Sequence, residues 1–401
     1  MGLKEDILNC AKKYEPNLIK FMRDLISIPS ESCNEKNVVK RIKKEMKKVG
    51  FDKIFIDKMG NIIGQIGNGK KIIAMDAHID TVGIGSLKEW NWDPYKGKFE
   101  NGIIYGRGAS DQKAGMVSMV YAGKIIKDLK LLDDYTLYIV GSVQEEDCDG
   151  LCWQFIINED KIKPDCVIIT EPTNLNIYRG HRGRMEIAIR TFGISAHASA
   201  PERGKNAISM MANIIQNLDK LNTKLKQDKF LGKGSLAVTY IDSKSPSLCA
   251  IPNECYIHID RRLTKGETKN SVINEIKKAI SKTNIKDFSI EILKYEKKSW
   301  RGLVYPTEKY YPTWVLDENH PLCKKAVQTY ITLFDKKPLI GKWTFSTNGV
   351  ATMGMFKIPT IGFGPGNEIY AHSVNDQVPV EHLIKASAFY ALFPKIYLNK
   401  L

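Results

Sequence analysis

Four apolar runs in this chain end in side chains that bind divalent metal, and no other feature limits the fold as much. Ile72-Ile73-Ala74-Met75-Asp76 runs into His78-Ile79-Asp80, and Leu137-Tyr138-Ile139-Val140 runs into Glu145-Glu146-Asp147. Val167-Ile168-Ile169-Thr170 runs into Glu171-Pro172, and Pro359-Thr360-Ile361-Gly362-Phe363 leads towards His372. An apolar run bounded by turn signals is how a strand covered on both faces reads. Open α/β sheets collect their sites beyond the carboxyl ends of such strands. A chain that places His, Asp and Glu there repeatedly reads as a metallohydrolase.

The periodicity around those runs predicts an α/β protein with an insertion. Residues 5–27, 36–49 and 113–127 have helical spacing, and strands are expected at 53–57, 61–66, 71–76, 135–143 and 165–170. From 182 the pattern changes to alternating, half-wet strands. The order there is strand, helix (206–222), two strands (235–242 and 254–262), helix (268–282), strand (287–295), the β-α-β-β-α-β order of a ferredoxin-like unit. The first pattern resumes with a helix at 319–334, a strand near 359–363 and a closing helix at 380–395. The expected division is therefore a catalytic domain, 1–181 and 300–401, interrupted by a smaller domain at 182–299.

Charge and cysteine narrow the setting. The net charge is +15, but lysines alternate with acids, as in Lys43-Lys44-Glu45-Met46-Lys47-Lys48, which reads as solvated helix faces rather than a nucleic-acid stripe. The positive balance instead suits anionic substrates. No uncharged apolar stretch approaches the ~20 residues of a transmembrane helix, and the start, Met1-Gly2-Leu3-Lys4-Glu5-Asp6, has no apolar signal core. The eight scattered cysteines form no Cys-x-x-Cys ligand set and are expected as thiols. The expected location is cytoplasmic, with neither nucleic acid nor membrane as partner.

The acidic residues come in a usable set. Asp111 lies in Gly106-Arg107-Gly108-Ala109-Ser110-Asp111-Gln112-Lys113, a glycine-rich loop that opens a helix, and Glu145-Glu146 is an adjacent carboxylate pair after a buried strand. Such a pair needs opposite charge nearby, and a divalent cation supplies it. Mixed His and carboxylate ligands suit two zinc ions, with cobalt or manganese as substitutes. One carboxylate of the pair is then free to act as general base towards a metal-activated water.

These residues resemble the zinc-dependent metallopeptidases and deacylases that include acetylornithine deacetylase, succinyl-diaminopimelate desuccinylase, glutamate carboxypeptidase and aminoacylase. Five segments carry the resemblance in order: Met75–Val82, Gly106–Gly115, Gln144–Glu146, Thr170–Thr173 and His372–Asp376. It implies a mixed-sheet di-zinc aminopeptidase-like catalytic domain with an inserted ferredoxin-like lid and dimerisation domain. It implies that His78 and Glu171 bind one zinc, Glu146 and His372 the other, and that Asp111 bridges them. Glu145 would be the proton carrier, Asp80 would orient His78, and the Asp111-Gln112 peptide bond would be cis. Gly193–Pro201 and Gly204–Ala207 resemble the inserted segment, where His197 corresponds to the oxyanion-stabilising histidine, often acting across a dimer. Asn253 and Arg262 fall among elements that grip a substrate carboxylate, and Gly364 in Gly364-Pro365-Gly366 would shape substrate access. His181, His258, His320 and His382 match no ligand position.

Two departures bear on the substrate. Glu at 171 is more typical of deacylases and carboxypeptidases than of aminopeptidases. Ser346-Thr347-Asn348-Gly349 stands where many relatives carry Ser-Asp or Thr-Asp, so Asn348, expected beside the substrate, presents no charge to an amine. Trp90–Tyr95 and Arg179–Arg184 look most like a selenium-metabolism-linked branch. The expected activity is cleavage of an amide in a small, carboxylate-bearing N-acyl amino acid or peptide-like molecule by a homodimer. A dipeptidase or an N-carbamoyl hydrolase is the alternative, and a non-catalytic metal-binding module a more distant one.

Overall fold

The apolar runs form the middle of an eight-stranded sheet. In the computed structural model, which describes residues 2–400, its strand order is 53–56, 62–66, 135–142, 71–78, 166–169, 360–362, 177–178, 340–341. The four strands 135–142, 71–78, 166–169 and 360–362 run parallel, and antiparallel neighbours flank them. Strand 166–169 is wholly buried and strand 135–142 nearly so, as expected of a sheet covered on both faces.

The chain separates into two compact units. The first comprises the chain up to Gly180, Glu296–Tyr305 and the chain from Val315 on. Its helix Ala114–Asp128 has almost no wet face, which is why its apolar residues run all round it, and it packs on the closing helix Val380–Tyr397. Phe389 of that helix stacks on Phe363 at 3.8 Å, and Tyr390 donates to the Phe363 carbonyl, fixing the chain just after strand 360–362. The expected single helix over 5–27 is two, Leu3–Lys13 and Glu15–Ile26. Pro16 lies in the first turn of the second, where it suits a helix start but cannot continue one.

The second unit comprises His181–Tyr295 with Pro306–Trp314. Strands 235–244, 254–263, 183–192 and 288–292 lie side by side in that order, all antiparallel, and the short strand 310–311 also pairs with 183–192. Helices Ala207–Thr223 and Lys269–Ser281 contribute Met211, Ile214, Leu218, Val272 and Ile276 to a core shared with Ile187, Ile257 and Ile259. The β-α-β-β-α-β order is thus realised, with the two-residue strand 310–311 added from beyond residue 299. Asn206 and Thr268 cap the two helices through their side-chain oxygens.

Candidate metal centre

Each parallel strand delivers its residue at its carboxyl end. His78 closes strand 71–78, Glu145 and Glu146 follow strand 135–142, Glu171 follows strand 166–169, and the chain beyond strand 360–362 leads to His372. These five residues and Asp111 all belong to the first unit.

Asp111 stands between the two histidines. His78 Nε2 is 2.8 Å from Asp111 Oδ1 and 3.6 Å from Glu171 Oε1. His372 Nε2 is 3.3 Å from the other oxygen, Oδ2, and 2.8 Å from Glu146 Oε2. Ligand atoms of His78, Glu145 and Glu171 lie within 4.8 Å of one another, and so do those of His78, Asp111 and Glu146. His78 is 1% exposed and the His372 side chain 55%, so the cluster is closed at one end and open at the other.

The backbone sets these positions. His78 Nδ1 donates to the Asp80 main-chain carbonyl at 2.9 Å, which fixes the ring with Nε2 towards Asp111. The orienting group is thus chiefly the Asp80 carbonyl; the carboxylate expected to do this has Oδ1 3.5 Å away. Asp80 Oδ2 instead accepts from Ser32 Oγ and the Glu146 N–H. The Asp111-Gln112 bond is cis. Asp376, fully buried, accepts from the Gly108 and Ser110 N–H groups, each at 2.7 Å, and so fastens the Asp111 loop to the segment carrying His372. Gly108 has φ +83°, a conformation that glycine adopts without strain.

The electrostatics call for cations. Burial pushes Glu145 and Glu171 well above the usual carboxylate range, and neighbouring carboxylates add to it. Burial raises Glu146 as well, helped by Asp111. Burial would also raise Asp111, but hydrogen bonds from His372 and His78 hold it low. Burial would lower His78, yet Glu171 and Asp111 raise it well above its ordinary value. His372 is pushed up to about 10 by its contacts with Asp111 and Glu146.

The donor set fits two divalent ions. Four carboxylates face two imidazoles, and Glu145 Oε1 and Glu171 Oε2 are buried without a hydrogen-bond partner. Buried anionic oxygens without partners are costly unless a cation meets them. Imidazole with carboxylate is the ligand chemistry of zinc and its neighbours.

Other expected residues are placed differently. Asn348 is fully buried: its Nδ2 donates to Asp76 Oδ2 and Ser142 Oγ, and its Oδ1 accepts from the Gly150 N–H and Cys152 Sγ. Its amide ties strand ends together and does not present itself to a substrate. Gly364 is packed so that a Cβ would lie 2.1 Å from the Glu171 carbonyl oxygen; it permits the close approach of the segments after strands 166–169 and 360–362. In the second unit, Asn253 is exposed, and Arg262 forms a two-pronged pair with Asp260 at 2.7 and 3.1 Å. His197 is exposed, and its Nδ1 accepts from the Ser199 N–H at 3.1 Å, which puts the ring proton on Nε2. The four remaining histidines have local partners: Trp314 for His181, Glu186 for His258, the Leu322 N–H for His320 and the Gly366 N–H for His382. Glu35, Asp76 and the clamping role of Asp376 escape a reading of the sequence. Asp76 and Asp376 carried a signal, lying in the Met75–Val82 and His372–Asp376 segments, and Glu35 carried none.

Residues 74–395 match the sequence profile of peptidase family M20/M25/M40. The chain belongs to this family. Members similar to it include the uncharacterized protein YgeY of Escherichia coli K12, 54% identical over 394 residues that cover 98% of this chain and 97% of that one. A probable succinyl-diaminopimelate desuccinylase of Staphylococcus epidermidis is 22% identical over 418 residues, covering 96% and 99%. Among solved structures, aminopeptidase PepT from Bacillus cereus aligns with a TM-score of 0.73 at 19% identity, covering 96% and 99%. The Bacillus subtilis YXEP protein, described as a dinuclear metal binding peptidase from the M20 family, aligns with 0.73 at 14%, covering 97% and 100%. At such identities the structural likeness speaks for the fold. As an M20/M25/M40 member the chain is a metallo-hydrolase of the peptide or acyl-amino-acid type.

Proposed function

We propose that this chain is a di-zinc amidohydrolase that cleaves the amide bond of a small N-acyl amino acid or peptide-like molecule bearing a carboxylate. The observation that carries this reading is Asp111, whose two oxygens face two different histidine nitrogens, 2.8 Å from His78 and 3.3 Å from His372. His78 and Glu171 would hold one ion and His372 and Glu146 the other, with Asp111 common to both. Bound there, the ions supply Lewis-acid polarisation of the amide carbonyl and acidify water.

The chain's own residues divide the remaining work. Glu146 is the member of the acidic pair that meets His372, at 2.8 Å, so Glu145 is free to carry protons. Its Oε1, buried and unpartnered, takes a proton from the attacking water and delivers it to the leaving amine. A raised proton affinity suits that task, because the base must also serve as an acid within one turnover. His197 is assigned to the oxyanion, since its Nδ1 contact with Ser199 leaves Nε2–H as an outward donor. Arg262, held by Asp260, retains Nη1 for a substrate carboxylate. A cytoplasmic homodimer is the proposed working form.

The test is a screen of N-acetyl, N-succinyl and N-carbamoyl amino acids alongside dipeptides, with zinc and cobalt compared. Hydrolysis of an acyl amino acid that Glu145→Gln abolishes supports the reading. A zinc-loaded protein inert across the screen would refute it.

A further inference from the structure

We infer that the segment Ser30–Glu35, between helices Glu15–Ile26 and Lys36–Val49, is a positioning strap that sets the spacing of the two ligand-bearing turns, with Glu35 as its anchor. This inference rests on the metal-site reading given above.

The strap holds the His78 turn first. The Ser30 carbonyl accepts from the Thr81 N–H at 3.0 Å, Ser30 Oγ donates to the Ile79 carbonyl, and Ser32 Oγ donates to Asp80 Oδ2 at 2.7 Å. It holds the acidic turn next. Glu35 Oε1 accepts from the Gln144 N–H at 3.0 Å and from the Cys33 N–H at 3.0 Å, while Gln144 Nε2 donates to Cys33 Sγ at 3.2 Å. One short segment thus bonds to turns that lie more than sixty residues apart in sequence.

Gln144 makes this consequential. Adjacent residues of an extended strand point to opposite sides, yet Glu145 and Glu146 both face the ligand cluster. A change of backbone direction just before them permits this, and Gln144 has φ +57°. A non-glycine residue holds that conformation only where its surroundings over-determine it. Glu35 is fully buried, so its bond to the Gln144 N–H has no water to replace it. Burial, aided by the charge of Asp80, raises the Glu35 carboxyl to about 8, so a neutral amide is its near equivalent.

The experiment compares wild type, Glu35→Ala, Glu35→Gln and Ser32→Ala. It reads zinc affinity by chelator competition, the visible spectrum of the cobalt-loaded protein, and kcat and KM on a substrate the wild type hydrolyses. Glu35→Ala is expected to lose about 10–100-fold in metal affinity or kcat, as loss of a ligand-orienting partner does, with KM moving less and the cobalt spectrum altered. Glu35→Gln keeps the acceptor and is expected to restore the wild-type spectrum. Ser32→Ala removes only a hydroxyl, so it keeps the test open if Glu35→Ala does not fold; it too should change the spectrum. Cobalt spectra and affinities equal to wild type in the Ala variants would overturn the strap, as would Glu35→Gln proving as damaged as Glu35→Ala. A wild-type protein that takes up no cobalt would instead defeat the metal-site reading itself.

Discussion

At the scale of single residues, two neighbours with the same chemistry are separated by their partners. Glu146 meets His372, and Glu145 has a buried oxygen meeting nothing. Glu145→Gln should therefore keep both metal ions while turnover falls by at least about 10²–10⁴-fold, the range a general acid–base contributes. Metal analysis beside kinetics checks this, and loss of an ion would show the two roles reversed. His197→Ala should lower the rate by about 10²–10³-fold, as removal of an oxyanion donor does, with zinc content unchanged; a full rate would remove His197 from that role. The cluster of His78, Asp111, Glu145, Glu146, Glu171 and His372 was legible in sequence because His, Asp and Glu directly after apolar strands have few other uses. Asn348 was not, because its four partners come from positions 76, 142, 150 and 152, and only folding shows that they enclose it.

At the scale of elements, buried carboxyls act as fasteners between loops. Asp376 joins the Gly106–Ser110 loop to the His372 segment and has Arg107 as its nearby cation, at 3.4 Å with both side chains buried. Asp376→Ala would leave two N–H groups without their acceptor and the buried Arg107 guanidinium with the Ser373 carbonyl but no carboxylate, a loss of about 3–5 kcal/mol. Denaturant unfolding checks this, and Asp376→Asn, which keeps one acceptor, should lose less. A second fastener joins the turn after strand 53–56 to the end of helix Leu151–Asn158. Asp160 is raised to about 7 by burial, by the charge of Asp57 and by its hydrogen bond with Asp57, against an ordinary 3.8. Between those values the folded protein holds a proton that the unfolded chain releases, so this pair's contribution falls as pH rises from about 4 to about 7. Asp160→Asn keeps a donor to Asp57 without a titrating proton. Its urea midpoint relative to wild type should therefore rise across that window, whereas a constant difference would remove the pair as a pH-dependent element. The strands and helices that periodicity predicted lie within a few residues of their expected places, since period 2 and period 3.6 report burial directly, whereas helix Leu151–Asn158 and the two-residue strands 177–178 and 340–341 were not expected. The break at Tyr14 was missed because the apolar spacing continues through it, although Pro16 marks the new start.

At the scale of the whole molecule, the discontinuity was legible because the strand pattern switches from fully apolar to alternating near residue 182 and back near 300. The return of Pro306–Trp314 to the second unit was not, since its strand is two residues long and carries no periodicity. The division has a thermodynamic consequence. His78, Asp111, Glu145, Glu146, Glu171 and His372 all belong to the first unit, and the second has its own core. A ligand that binds only the folded form stabilises it by RT ln(1 + [L]/Kd), about 2.7 kcal/mol for one ion at 100 times its Kd. Zinc should therefore raise the unfolding temperature of the first unit by several degrees, and a chelator should reverse the rise. If the units unfold separately, calorimetry with and without zinc will show one transition moving and one fixed. If they unfold together, the single transition will move. In either case Asp111→Asn, which weakens the residue proposed as common to both ions, should shrink the shift. A zinc-independent unfolding temperature in the wild type would mean that the six side chains do not form a metal site.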